Sequence, residues 1–246
     1  DIKAADALGN SLRSNTFAFH RSMNRVGKPV DPTEWRMSPP TVNAYYSPLE
    51  NNINFPAGIL QPPFFDMKVD DAVNSGGIGA VIGHEITHGF DDSGRRFDAQ
   101  GNMSDWWTAE DAKEYERRAS CIDQQYAGYT AVADVKLNGK LTLGENVADN
   151  GGLRIAYMAL MDALEGKSKD KVEGYTPEQR LFLGFAQVWC QNITDEAARL
   201  RAQTDSHAPG EWRTNGTVSN MPEFWKAFGC KEGQPMVRGE KACRVW

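Results

Sequence analysis

Two of the four histidines in the chain, His84 and His88, lie four residues apart, and Glu85 directly follows the first of them. On an α-helix, residues i and i+4 share a face, so both imidazoles can reach one zinc ion while Glu85 projects toward a water molecule at that ion. The alternative is an ordinary helix with Glu85 on a solvated face. Against it, the other large residues of this segment are apolar and predict burial, and buried unpaired His and Glu side chains are costly. These apolar residues are Ile78, Val81, Ile82, Ile86 and Phe90.

A second pair of chemically useful residues, Glu145 and Asp149, has the same i, i+4 spacing. A catalytic zinc ion usually has three protein ligands and one open position, so Glu145 is a candidate third ligand. Asp149 can then accept a hydrogen bond from the distal nitrogen of a ligand histidine and fix its tautomer. The alternative is a solvated acidic face, and the flanking apolar residues argue against it. These are Leu143, Val147 and Leu153.

Longer stretches around these motifs resemble the catalytic lobe of the neprilysin family of zinc endopeptidases, which includes the endothelin-converting enzymes and bacterial oligopeptidases. The resemblance runs from about Val42 to the last residue. It implies a thermolysin-like zincin lobe that holds one Zn²⁺ with His84, His88 and Glu145 and uses Glu85 as general base. The matching stretches are VNAYY (42–46), FPAGILQPPFF (55–65), GGIG (76–79), GHEITHGFDD (83–92), GENVADNGG (144–152), FAQVWC (185–190) and CRVW (243–246).

The resemblance also implies roles for other residues near the metal. Asp149 matches a carboxylate that hydrogen-bonds His84 and that family accounts also describe as a proton donor. We favour the orienting role, because i+4 from a ligand is the usual location of an orienting carboxylate. His207 matches the transition-state histidine, with Asp205 positioned to orient it. Without the family, a lone His207 in a polar loop would be interpreted as an ordinary solvated residue.

Substrate-binding residues follow from the same resemblance. Arg213 matches an arginine that holds a substrate backbone carbonyl, and Asn43 and Ala44 match an edge strand that pairs with the peptide main chain. Five apolar residues match the pocket for the residue after the scissile bond, although core packing alone would also explain them. They are Ile59, Phe64, Val81, Val188 and Trp189.

The predicted function is zinc-dependent hydrolysis of oligopeptides on the amino side of large hydrophobic residues, with a water activated by zinc and by Glu85. One alternative is a different metallohydrolase, such as an amidase with the same ligands, which the peptide-binding Asn43 and Arg213 disfavour. Another is a binding or scaffold protein that has lost catalysis. All the parts of a zinc hydrolase are present, which disfavours it.

The elements that must position these residues are mainly helical. The sequence predicts an amphipathic helix in a connecting segment (1–41), followed by the catalytic domain (42–246). Further helices are predicted from Gly77 to Phe90, from Thr108, and after Thr176, where a capping box and a proline mark the start. Two β-favouring runs, 42–46 and 53–55, predict a small antiparallel sheet, so the fold class is α+β. The amphipathic face consists of Leu8, Leu12, Phe19 and Met23.

Composition excludes several classes of partner. The 246 residues carry 27 basic and 33 acidic side chains, a net charge of −6, which disfavours nucleic acid and anionic membranes. No apolar run reaches the roughly 18 residues of a membrane span, and the first residues do not look like a signal peptide. Family members are much longer, and the resemblance implies that an N-terminal capping lobe is missing from this chain.

The four cysteines allow three internal pairings. The family resemblance implies a disulfide between Cys121 and Cys243. It pairs the positions of Cys190 and Cys230 with cysteines of the missing region, so here these two are expected to be free or bonded to each other. Disulfides imply an oxidising compartment, so we expect a periplasmic, secreted or cell-surface location.

Overall fold

The computed structural model describes residues 1–167 and 170–246 and contains two compact units, Asp1–Trp35 and Arg36–Trp246. The first unit contains helix α1 (Ala7–Met23), whose N-terminus is capped by the side chain of Asp6. This helix is where the amphipathic pattern predicts it, but its apolar residues are exposed and no residue of α1 is buried. The assignment of residues 1–41 to a connecting segment and of residues 42–246 to a catalytic domain stays a prediction.

The second unit is mainly helical. Among its described residues, 36–167 and 170–246, there are two small antiparallel sheets of two strands each. Short 3₁₀ turns occur at Ala57–Ile59, Gly94–Arg96 and Gly239–Lys241, and a π-helical turn at Ser75–Gly79 leads into α3. In the described part of this unit the helices are α2 (Asp71–Asn74), α3 (Ala80–His88), α4 (Ala109–Ala127), α5 (Leu143–Ala163), α6 (Pro177–Val188), α7 (Asp195–Thr204), α8 (Gly210–Val218) and α9 (Pro222–Phe228), and the strands are β1 (Tyr45–Ser47), β2 (Asn52–Asn54), β3 (Thr130–Val132) and β4 (Val135–Lys136).

Several of these boundaries follow from local sequence. Helix α6 begins with the predicted capping box: Gln179 N–H donates to Thr176 Oγ1, and Thr176 N–H donates to Gln179 Oε1. Helix α4 begins after Thr108, whose side chain accepts from Asp111 N–H. The predicted strand pair is also present, with Tyr46 opposite Ile53. It is shorter than predicted, and it starts at Tyr45 rather than at residue 42.

Helix α5 lies between two hydrophobic cores and contributes to both. Val147 belongs to a core formed largely by α4 and the C-terminal tail, and Leu153 to a core formed largely by α6. Against α3, the α5 backbone approaches so closely that a side chain would not fit. A Cβ on Gly152 would lie 2.4 Å from the backbone nitrogen of His84, and one on Gly83 would lie 2.5 Å from the carbonyl oxygen of Gly152. Glycine at both positions therefore permits the contact.

Helix α3 is not buried on all sides, which corrects an expectation. His84 and Glu85 are buried, whereas Ile82, Ile86 and Phe90 are exposed. These three residues are four apart, so they form a stripe roughly opposite His84 on the helix. The apolar composition of the segment therefore did not imply burial of the whole helix: one face meets α5 and the cavity, and the other lies on the surface of this chain.

The C-terminal tail is fixed to α4. Cys121 and Cys243 form the predicted disulfide, and Cys243 and Val245 are buried in the core that contains Ile122. Cys190 and Cys230 are free thiols, the first exposed and the second half-buried. Among the described helices, none combines the length and hydrophobicity that a membrane span requires.

The disulfide joins residues 122 positions apart, so it strongly restricts the unfolded chain. We expect the double substitution Cys121→Ala with Cys243→Ala to lower the free energy of unfolding by about 3–5 kcal/mol. Urea denaturation under non-reducing conditions measures this loss. The matched control is Cys190→Ala with Cys230→Ala, which removes two thiols but no crosslink. Equal unfolding free energies for the two double variants would contradict the prediction.

Candidate functional site

Helices α3 and α5 bring three metal-ligating side chains together. Nε2 of His84 lies 3.2 Å from Oε2 of Glu145, and Nε2 of His88 lies 3.7 Å from its Oε1. The ligand atoms of the three residues all lie within 4.8 Å of one another. The two imidazole rings are perpendicular, with centroids 4.5 Å apart, as expected for two side chains one helical turn apart.

Each histidine is oriented by a carboxylate through its other ring nitrogen. Nδ1 of His84 lies 2.8 Å from Oδ1 of Asp149, and Nδ1 of His88 lies 2.7 Å from Oδ2 of Asp91. Asp91 is itself fixed, because its other oxygen accepts the backbone N–H groups of Ser93 and Gly94. Both Nε2 atoms are therefore directed toward Glu145.

These residues fit a zinc ion. Two neutral imidazoles and one carboxylate are a common zinc ligand set, and hydrogen bonds between ligand histidines and carboxylates are typical of zinc sites. Oε2 of Glu145 is buried, and although His84 is near, it has no partner with acceptable hydrogen-bond geometry. A cation bound between these three residues would satisfy that oxygen.

The electrostatics of the site favour positive charge. Burial disfavours protonation of His84, but Asp149 and then Glu145 outweigh burial and raise the pKa of His84 to about 10. Burial alone would raise the pKa of Glu145, but His84, Arg213 and His88 hold it below its ordinary range. The pKa of Glu85 is raised by burial, which the two histidines only partly offset.

Glu85 faces a cavity of about 470 Å³, which is lined by all the predicted ligand, acid–base and substrate-binding residues. Glu85 is nearly fully buried, since only 5% of the residue is exposed. The cavity is lined by the predicted metal ligands and acid–base residues, His84, Glu85, His88, Glu145, Asp149 and His207, and by the predicted substrate-binding residues, Asn43, Ala44, Ile59, Phe64, Val81, Val188, Trp189 and Arg213.

His207 lies in the loop between α7 and α8 and faces Glu145. Its Nε2 is 3.3 Å from Oε1 of Glu145, and its Nδ1 is 2.8 Å from Oδ1 of Asp205. Asp205 also accepts the backbone N–H of His207, and its second oxygen accepts from Arg201. The loop histidine is therefore held at the cavity by a carboxylate that is fixed on both sides.

Arg213, on α8, forms a bidentate ion pair with Asp149. Its Nε donates to Oδ2 and its Nη2 to Oδ1, both at 2.7 Å. Both residues are buried, and the charge of Arg213 holds the pKa of Asp149 below its ordinary range although burial acts in the opposite direction. In the described part of the chain, Nη1 of Arg213 makes no hydrogen bond, so its two N–H groups remain available at the cavity.

The structure also corrects the sequence-based site. Asn43 and Ala44 line the cavity but precede β1, and Oδ1 of Asn43 accepts the N–H of Ala44. Sequence reasoning missed Asp91, although its position three residues after His88 was a usable signal. It also missed Tyr46 and Phe97, which line the cavity and are separated in sequence by about fifty residues. No local pattern connects those two.

The chain matches Peptidase family M13 over residues 43–245. It is 43% identical to the endothelin-converting enzyme homolog of Locusta migratoria over 249 residues, covering 100% of this chain and 34% of that protein. It is 47% identical to Neprilysin-1 of Caenorhabditis elegans over 238 residues, covering 94% of this chain and 31% of that protein.

Two solved structures are also similar. The Mycobacterium tuberculosis zinc metalloprotease Zmp1, in complex with an inhibitor, superposes with a TM-score of 0.92 at 44% identity, covering 98% of this chain and 38% of that one. PepO from Lactobacillus rhamnosis superposes with a TM-score of 0.88 at 35% identity, covering 99% and 37%. The predicted α+β fold with a thermolysin-like zincin lobe is thereby confirmed.

The chain spans about a third of the length of these curated relatives. The family match nevertheless contains both motif helices, the histidine loop and nearly all of the C-terminal tail. The family match covers most of the sequence, and the relatives exceed 40% identity. The chain therefore belongs to peptidase family M13.

Proposed function

We propose that the protein is a zinc-dependent endopeptidase that hydrolyses oligopeptides on the amino side of large hydrophobic residues. The observation that carries the proposal is the convergence of His84, His88 and Glu145 at one cavity that also contains Glu85 and His207. A bound Zn²⁺ at these three residues would supply Lewis-acid chemistry, polarising a carbonyl group and making water more acidic.

Glu85 is the general base in this proposal. It takes a proton from the attacking water and later delivers it to the leaving amine, so that one carboxylate serves both halves of the hydrolysis. Its position supports the role, because it follows a ligand histidine on α3 and faces the same cavity. Its burial supports it too, since a desolvated carboxylate is a stronger base.

His207 stabilises the oxyanion of the tetrahedral intermediate by donating from Nε2. Asp205 bonds the opposite ring nitrogen, Nδ1, and so holds Nε2 toward the cavity. Asp149 has an orienting role rather than that of a proton donor. Both of its oxygens are occupied by His84 and Arg213, and the guanidinium keeps it ionised.

Substrate binding separates into backbone and side-chain recognition. The free Nη1 of Arg213 can donate to a peptide carbonyl, and Asn43 lies at the same cavity beside the start of β1. Neither contact depends on the identity of the substrate side chain. Selectivity therefore comes from the apolar wall, which suits a large hydrophobic residue. Its residues are Ile59, Phe64, Val81, Val188 and Trp189.

In our proposal, the working protein also includes a further lobe that caps this one. The protein acts outside the cytoplasm. The lengths of the relatives support the first statement, since this chain accounts for about a third of each. The Cys121–Cys243 disulfide supports the second, because such crosslinks persist in oxidising compartments. Oligopeptides are the expected partners, and nucleic acid is not.

The test is mass-spectrometric mapping of cleavage sites in a peptide library, using the protein expressed from its complete reading frame, with and without a chelator. We expect cleavage before Phe, Leu and similar residues, lost with chelator and restored by Zn²⁺. Hydrolysis of simple amides but not of peptides would favour the amidase alternative. No hydrolysis by zinc-loaded protein would favour the non-catalytic alternative.

Glu85→Gln removes the base while preserving shape. We expect bound zinc to remain and peptide turnover to fall by at least about a hundredfold, the lower end of what general acid–base catalysis contributes. Elemental analysis gives the zinc content, and a fluorogenic peptide gives the rate. Glu110→Gln, on the exposed first turn of α4, is the control and should match the unsubstituted protein. Full activity in Glu85→Gln would reject the assigned role.

Asp91→Asn tests a residue that sequence reasoning missed. The amide can still accept from Ser93 and Gly94, but it presents an N–H₂ group to Nδ1 of His88 and so opposes the required tautomer. We expect zinc affinity to fall about 10- to 100-fold, as measured by competition with a chelating dye. Asp92→Asn is the control, since the structure shows no bond from Asp92 to either histidine. Unchanged affinity in Asp91→Asn would show that the contact does not matter.

A further inference from the structure

Arg213 is held by an aromatic face as well as by Asp149. Its guanidinium carbon lies 3.8 Å from the centroid of the Trp189 ring, which is a close cation–π stack. The residue is only 7% exposed, so water competes little with the ring. Such stacks are stronger when the cation is desolvated. The ion pair fixes one edge of the guanidinium, and the indole covers its plane.

The indole is itself fixed from two sides. Trp189 follows the last residue of α6, and its ring packs edge-on against buried Phe185, one turn earlier, with centroids 6.3 Å apart. Its carbonyl oxygen lies against the start of α8, where a Cβ on Gly210 would be 2.3 Å away. The end of α6 and the beginning of α8 are therefore in backbone contact, which sets the distance between Trp189 and Arg213.

We propose that Trp189 is a positioning residue for Arg213: it holds the guanidinium plane so that Nη1 is directed at the substrate carbonyl. The inference rests on the proposed peptide-binding role of Arg213. Because Trp189 also lines the apolar pocket, the carbonyl concerned is that of the residue filling the pocket. Trp189 therefore contacts the substrate side chain in the pocket and also positions the arginine that binds the substrate backbone.

The decisive experiment compares two ligands that differ in one backbone amide. The first is acetyl-Ala-Phe-Leu-amide, and the second replaces the amide between Phe and Leu by an (E)-alkene, which keeps the extended shape and lacks both the carbonyl and the N–H group. The N–H is missing from the alkene in every variant, so the comparison between variants reports on the carbonyl contact of Arg213. Calorimetry on the complete protein carrying Glu85→Gln measures binding without turnover. We expect Trp189→Leu to weaken the peptide about tenfold, the loss of one desolvated cation–π contact. The same substitution should weaken binding of the alkene less, because only the apolar contact between Trp189 and the ligand side chain is lost.

Two further variants separate positioning from packing. Trp189→Phe keeps an aromatic face and should restore most of the peptide affinity. Val188→Ala, at the adjacent residue of the same pocket, should weaken both ligands equally. The zinc content of each variant reports whether the site is intact. In the active protein, Trp189→Leu should raise KM for the peptide more than it lowers kcat.

Each remaining outcome has a definite meaning. If Trp189→Leu weakens both ligands equally, Trp189 is only a pocket wall and the inference is wrong. If the peptide binds with the expected carbonyl dependence but the zinc-loaded protein with Glu85 intact never cleaves it, the proposed function fails while the inference stands. If the zinc-loaded protein binds neither ligand, both are overturned.

Discussion

The whole site depends on the close contact between the backbones of α3 and α5. With glycine at positions 83 and 152, these helices approach closely enough for His84 and His88 to meet Glu145 across the contact. A methyl group at either position would overlap backbone atoms that cannot move aside. Separating the helices by even one ångström would exceed what three ligands can tolerate around one zinc ion, because ligand distances vary little.

That contact brings two negative charges close together, and other residues of the site compensate them. It buries Asp149 beside the half-buried Glu145, one turn earlier, and two carboxylates so shielded from water repel each other unless cations compensate. Arg213 supplies one cation from α8, at 2.7 Å from Asp149 and 3.5 Å from Glu145. A metal ion held by the two neutral imidazoles and Glu145 would supply the remaining positive charge. The ligand helices and α8 therefore have to fold against one another as one unit.

Sequence was most informative where chemistry and geometry share a single helix. The spacing of His84 and His88, and of Glu145 and Asp149, places each pair on one face of an α-helix wherever that helix lies in the fold, and the capping box of α6 fixes a helix start. Sequence was least informative about pairs that meet only through tertiary structure. Asp149 and Arg213 are 64 residues apart in sequence, and only the family resemblance indicated that Arg213 is functional. Apolar composition likewise could not indicate which side of α3 remains exposed.

The position of α5 also depends on contacts with the C-terminal tail. Asn220 donates to Gln125 on α4 and to Asn150 on α5, and its oxygen accepts the N–H of Cys243. Asn150 directly follows Asp149, so the segment carrying the orienting carboxylate is also bonded to the tail. The disulfide fixes Cys243 to α4, and Asn220 then connects that anchored residue to α5. A crosslink remote from the cavity thereby restrains the helix that supplies Glu145, because both cores and this polar cluster meet on α5.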